Sequence, residues 1–201
     1  MTLAADVAAL VPVKSTDVTI VAIDGVDGSG KTTFAAALGE ELRRMGRQVV
    51  DVHLDDFHHV SAVRHQRGRH SPEGFFLDSY DYAAFTDRVV APLRAGGHRI
   101  RTAASDLERD VYIDPGPVDV PPGAVVLVEG IFAHRDELFQ LWDWSIFLDV
   151  PFEVSVARMA VRDGSPNDPD HSAVRRYVEG QRLYLAQCDP KARASIVIDN
   201  S

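Results

Sequence analysis

Apolar and polar residues fall into blocks along this chain, and the blocks differ in period. "VTIVAID" at 18–24 is a near-continuous apolar run rich in β-branched residues and closed by glycine, the pattern of a parallel strand buried on both faces. "QVVDVHL" (48–54), "AVVLVEG" (124–130), "WSIFLDV" (144–150) and "SIVID" (195–199) read the same way. Between them the period lengthens. From Lys31 to about Met45, Phe34, Leu38 and Leu42 recur every four residues on one face and Gly46 stands as a stop, so a helix is predicted. Further helices are predicted over 3–11, from an aspartate N-cap candidate in "DSYDYAAF" to the double glycine at 96–97, over 151–163 and over 170–187, with a helical or turn segment at 134–141.

Two regions lack a clear period. The polar, basic stretch from Asp55 to about Leu77 reads as a loop, as does the Gly/Pro segment 164–169. "HRIRTA" and "RDVYI", flanking "ASDLE", read as two short strands that pair as a hairpin appended to the sheet, with "DPGPVDVPPG" setting them off from the next strand. Strands alternating with helices imply an α/β fold with a mostly parallel five-stranded sheet and helices on both faces. A chain of 201 residues has room for one core, so a single domain over 1–201 is expected.

Composition narrows the setting. Apolar residues at 45% and charged residues at 25% are ordinary for a globular protein. With no basic leader and no apolar run of about 18 residues, the expected location is the cytoplasm, without a membrane partner. Cys188 is the only cysteine, which excludes an internal disulfide and a thiolate metal cluster and leaves it the reading of a small buried hydrophobe. A net charge of −9 argues against a general nucleic-acid partner.

The chemistry begins at residues 25–32, G-V-D-G-S-G-K-T, which fit G-x-x-x-x-G-K-[ST] between a strand and a helix. Gly25, Gly28 and Gly30 let successive backbone N–H groups face one concavity, where the helix N-terminus adds partial positive charge. With Asp27, Ser29 and Thr33 they form a predicted ATP-binding stretch in a three-layer P-loop NTPase fold. Lys31 is placed to reach the β- and γ-phosphates, and the Thr32 hydroxyl to ligate Mg²⁺. Such a loop serves kinases, ATPases and GTPases alike. The acidic residues at the strand ends separate them. Asp55, after the second strand, is the candidate base for an acceptor hydroxyl, and Glu129, ending the strand at 124–130, is the candidate acid for Mg²⁺ or its waters.

The stretches "GVDGSGKTT", "DDFH", "FFLDSYD", "VEGIF" and "ARMAVRD" resemble, in order and spacing, the uridine kinase and phosphoribulokinase-like branch of P-loop kinases, over about residues 18–199. The resemblance implies an ATP- and Mg²⁺-dependent kinase with Asp55 as catalytic base and with Phe57 and His58 forming the acceptor pocket. It implies a role for Asp78 in holding ribose hydroxyls, with a helix N-cap as the competing reading, and a lid over about 158–172 in which Arg162, then Arg158, closes on the phosphates. The acceptor expected is a small molecule, first a nucleoside such as uridine or cytidine, with nicotinamide riboside, pantothenate, glycerate or a sugar as alternatives. A regulatory ATPase is the reading from another class. A homo-oligomer stays open.

Two departures bear on the acceptor. Uridine kinases carry a tyrosine and a histidine in the hairpin after the substrate helix; the corresponding hairpin here, at 98–114, has "RTAASDLERD" at 101–110, and their lid continues with arginines where this one reads "GSPNDPDHS". The acceptor-side loop at 55–77 instead contains "RHQRGRH", where Arg67 and Arg69 form a candidate clamp for an anionic acceptor, against the plainer reading of a solvated loop.

Overall fold

A computed structural model describes residues 2–201. Five parallel strands form the sheet: β1 (Thr19–Gly25), β2 (Val49–His53), β3 (Val125–Glu129), β4 (Trp144–Asp149) and β5 (Ile196–Asp199), in the spatial order β2-β3-β1-β4-β5. Thr19 pairs with Val125 on one side of β1, and Val21 pairs with Trp144 on the other. Every residue of β1 and β3 is buried, as two-sided coverage requires and as their unbroken apolar runs imply.

Alternate side chains along β1 serve two cores. Val21 and Ile23 pack against helices α1 (Leu3–Ala8) and α2 (Lys31–Arg44) through Val7, Phe34, Leu38 and Leu42. Ile20 and Ala22 face the opposite layer, which is built from α3 (Pro72–Asp78), α4 (82–94) and, beyond α5 (Phe152–Asp163), α6 (Ser172–Cys188). Within α4, α-helical turns Tyr82–Phe85 and Ala91–Arg94 flank a π-helical segment, Thr86–Val90. A third cluster, Val156, Met159, Val174 and Val178, joins α5 to α6. No described helix is long and apolar enough to cross a membrane.

The stretch read as one loop from Asp55 to Leu77 is more ordered than expected. It holds a 3₁₀ turn, Leu54–Phe57, a helical turn, Ser61–Arg64, and α3. Ser71 caps α3 by accepting from the Gly74 N–H at 3.0 Å, with Pro72 at the first helical position, a start signal present in "SPEG". Helix α3 crosses α6 so closely at Gly180 that a Cβ there would sit 2.7 Å from the Pro72 carbonyl oxygen. The next helix therefore starts later than the sequence suggests. Asp78 ends α3, and Asp81 is the N-cap of α4, accepting from Ala84 N–H at 2.8 Å.

The hairpin is also corrected. Ser105–Asp106 pairs with Val111–Tyr112, but Arg99–Ile100, inside "HRIRTA", pairs with Val118–Asp119 from the Pro/Gly-rich segment. Each pair is two residues long and neither joins the main sheet, so neither carries a period that could fix its partner in advance.

Candidate active site

The phosphate loop leaves β1 at Gly25 and enters α2 at Lys31. Gly28 and Gly30 have φ of +72° and +89°, and a Cβ on Gly28 would run into the Ser155 carbonyl oxygen. Lys31 is nearly buried, and its Nζ donates to the Gly25 and Val26 carbonyls at 3.1 and 2.9 Å. Ser29 Oγ is buried without a hydrogen-bond partner. At the end of β3, Glu129 Oε1 accepts from Thr32 Oγ1 at 3.2 Å and lies 2.7 Å from His53 Nδ1. That carboxylate holds the His53 imidazole above its ordinary pKa.

A cleft of about 460 Å³ opens over this loop, and Asp55, Glu129, Arg158 and Arg162 line it together with the loop and the start of α2. The 3₁₀ turn explains why Asp55 faces the cleft. Residues three apart eclipse in such a turn, so Leu54 and Phe57 both point into the core and Asp55 points out. Its Oδ1 accepts from the Tyr80 hydroxyl at 2.8 Å. Burial and the Asp55 charge push the Tyr80 phenol far above its ordinary pKa, so it remains a donor. His58 packs against Tyr80 with ring centroids 4.2 Å apart and planes tilted by 40°, its Nδ1 lies 2.7 Å from the Asp55 carbonyl oxygen, and burial lowers its pKa.

The structure thus gathers Asp27, Gly28, Gly30, Lys31, Thr32, Thr33, Asp55, Glu129, Arg158 and Arg162 around one cleft. Arg162 turns onto its neighbour Asp163 at 3.0 Å and is largely exposed, while Arg158 has no carboxylate partner among the described residues. The acceptor-side set does not assemble there. Phe57 is 1% exposed and packs edge-on against Phe85, so it presents no face to the cleft. Asp78 is not an N-cap; it pairs with Arg67 at 3.3 Å, away from the lining of the cleft, and Arg69 is exposed beyond it.

Several contacts were not foreseen. Gln181 accepts from the Asp27 backbone N–H at 2.6 Å and donates to Asp27 Oδ2 at 3.1 Å, which fixes the loop from α6. Burial raises the pKa of Asp27 against the opposing charge of Lys31. Behind the loop, fully buried Asp24 accepts from His134 Nδ1 at 2.7 Å and from Tyr184, and His134 Nε2 reaches Ser145 Oγ at 2.9 Å. An aspartate closing an apolar strand was the available signal, because a buried carboxylate requires partners.

The residues fit a bound nucleotide and a hard cation. The concavity has an orphaned buried hydroxyl at Ser29, Lys31 is held only by carbonyls, and the Thr32 and Glu129 oxygens adjoin. The strand order with this loop between β1 and α2 defines a P-loop kinase fold. The chain belongs to the Phosphoribulokinase / Uridine kinase family, which residues 20–183 match. It is 28% identical over 193 residues to a uridine kinase of Shewanella halifaxensis, covering 92% of this chain and 88% of that one. A structure named "Possible Uridine Kinase" from Bacillus stearothermophilus superposes with a TM-score of 0.76 at 25% identity, over 98% of this chain and 97% of that one. A candidate fructose transport system kinase from a Silicibacter species gives 0.76 at 26% identity, over 98% and 100%.

Proposed function

We propose that this protein is a cytoplasmic kinase that moves the γ-phosphoryl group of ATP to a hydroxyl of a small metabolite, first a nucleoside such as uridine or cytidine. The observation that carries this reading is the position of Asp55, which lines the same cleft as the phosphate loop while Tyr80 occupies one of its carboxylate oxygens. The other oxygen is left to orient a hydroxyl and take its proton. The loop amides and Lys31 hold the triphosphate, and Arg158 and Arg162 approach from α5 to offset charge that develops on the transferred group. Thr32 and Glu129 would hold Mg²⁺, which when bound draws negative charge from the phosphate oxygens.

Among acceptors, a nucleoside is favoured by the naming of the relatives and by one contact. The hairpin carries Tyr112, whose hydroxyl lies 3.0 Å from His59 Nδ1, so a phenol and an imidazole meet at the hairpin although "RTAASDLERD" contains neither, which supports this reading. A sugar acceptor is the second reading, because the Silicibacter protein superposes equally well. The test is ADP release measured over a panel of nucleosides, sugars and glycerate. A many-fold rise with one acceptor supports the kinase, whereas rapid hydrolysis that no acceptor stimulates supports a regulatory ATPase. Asp55→Asn is expected to lower kcat about 10²–10⁴-fold with the affinity for an ATP analogue retained, and a fully active variant would remove Asp55 from its role.

A further inference from the structure

In a chain with 30 acidic and 21 basic side chains, a cation has little difficulty finding a carboxylate. Most of the lysines and arginines do so, and Arg47 is held by the Val11 and Pro12 carbonyls instead. Among the described residues, the remaining cations with no carboxylate within 4.0 Å stand in two places. Lys31 and Arg158 line the nucleotide cleft. Arg175 and Arg176, with Arg69 close enough for its charge to act on Arg176, stand at the first turns of α6.

There, His70, Pro72, Ser172, Arg175 and Arg176 line a separate cavity of about 740 Å³. Its walls contain no carboxylate. Arg176 is held in place by stacking, with its guanidinium carbon 5.6 Å from the centres of both the Phe75 and Tyr177 rings, and its Nε is buried without a hydrogen-bond partner. Nη1 of Arg176 lies 3.4 Å from His65 Nε2, and burial together with Arg176, Arg64 and Arg69 keeps that imidazole below its ordinary pKa. Asp110 pairs with Arg64 at 3.0 Å and Asp170 with Arg182 at 3.7 Å, and neither reaches Arg175 or Arg176. Like charges collected without a counter-charge are unfavourable unless an anion enters.

We propose that this pocket binds the phosphate group of a phosphorylated small molecule, at a site distinct from the nucleotide cleft. Arg175 and Arg176 are its principal ligands, with the first turn of α6 adding its partial positive charge. The pocket shares no lining residue with the nucleotide cleft, so the two are separate sites. The proposal does not depend on the role of Asp55.

The test is isothermal titration of the full chain with inorganic phosphate and with ribose 5-phosphate, in saturating non-hydrolysable ATP analogue and Mg²⁺ so that the nucleotide cleft is occupied. Saturable binding with a dissociation constant of about 1 mM or tighter is expected. Arg175→Gln with Arg176→Gln should weaken it at least tenfold and leave the affinity for the ATP analogue within about twofold. If the double variant does not fold, Arg175→Gln alone, at an exposed side chain, is expected to weaken binding in the same direction. The source of the phosphate is read separately. Ribose 5-phosphate consumed with equimolar ADP would make the phosphate part of an acceptor, and ribose 5-phosphate bound without turnover would make it an effector. Absence of saturable binding, or binding that the substitutions leave unchanged, overturns the proposal.

Discussion

Replacing Asp24 by Asn changes one atom and should be among the most damaging single substitutions in this protein. Asp24 is fully buried, and its two oxygens receive four donors. Oδ1 accepts from the Gly25 N–H at 2.7 Å, while Oδ2 accepts from His134 Nδ1 at 2.7 Å, from the His134 backbone N–H at 3.1 Å and from the Tyr184 hydroxyl. Asn supplies one acceptor oxygen. Even with that oxygen on the crowded side, its NH₂ faces the Gly25 N–H, so two donors oppose each other in the interior. One unsatisfied buried donor costs about 1–3 kcal/mol, and loss of the charge weakens the three bonds on the other side, giving about 3–5 kcal/mol together. In a chain of this length each kcal/mol lowers the unfolding midpoint by about 2–4 °C, so a fall of roughly 6–20 °C is expected. Because the opposed donor is the first amide of the phosphate loop, affinity for an ATP analogue should fall as well, by roughly tenfold. Urea unfolding and analogue titration measure the two effects. Tyr184→Phe removes one donor and leaves Asp24 three, so it should cost only about 1 kcal/mol. A loss below about 1 kcal/mol for Asp24→Asn would refute the reasoning, since it would mean that the network relaxes around the amide.

Tyr80→Phe keeps the ring that packs against His58 and deletes the donor to Asp55, so kcat for acceptor phosphorylation should fall about tenfold or more while the affinity for an ATP analogue holds; a split of KM from kcat in steady-state kinetics checks it. Asp143 provides the pH prediction. Burial works against its ionisation, but the Lys14 ammonium, the Ile20 N–H and Arg94 prevail and hold its folded pKa below the usual carboxylate value. A lowered folded pKa contributes stability above the unfolded value of about 4 and loses it as the pH falls through the folded value. Urea midpoints taken from pH 6 downward should therefore drop below about pH 4, and Asp143→Asn should flatten that part of the profile.

The sequence was legible where backbone geometry or a long period does the binding. The phosphate loop could be read because three glycines, a lysine and a threonine are all it needs, and the sheet because each strand is a block of its own. Asp55 and Glu129 were legible as acids at strand ends facing the crevice. Phe57 was misplaced for a local reason, since only the 3₁₀ phase decides which residues of "LDDF" turn inward. That Asp78 ends a helix and does not start one was not legible, because α3, seven residues long with one buried aromatic pair, has too few turns to show a period. Arg175 and Arg176 of α6 could not be joined to His65 and His70 from sequence, because they lie more than a hundred residues apart and a helix crossing at Gly180 brings them together.

That crossing makes α6 the element on which the cleft depends. Gln181 and Tyr184 are three residues apart and so lie on one face of the helix, and each reaches a different part of the loop: Gln181 holds Asp27 by main chain and side chain, and Tyr184 holds Asp24 directly behind Gly25. About two turns earlier, Val174 and Val178 pack on Val156 and Met159 of α5, the helix that carries Arg158 and Arg162. The first turns of the same helix carry Arg175 and Arg176. A helix of 17 residues therefore touches the phosphate loop, α5 and the second cationic pocket at once. Any ligand that fixes its first turns is expected to act on the orientation of α5 before it acts on the loop, because Gln181 and Tyr184 are held by buried hydrogen bonds whereas the contact with α5 is a small apolar cluster next to the exposed segment 164–171.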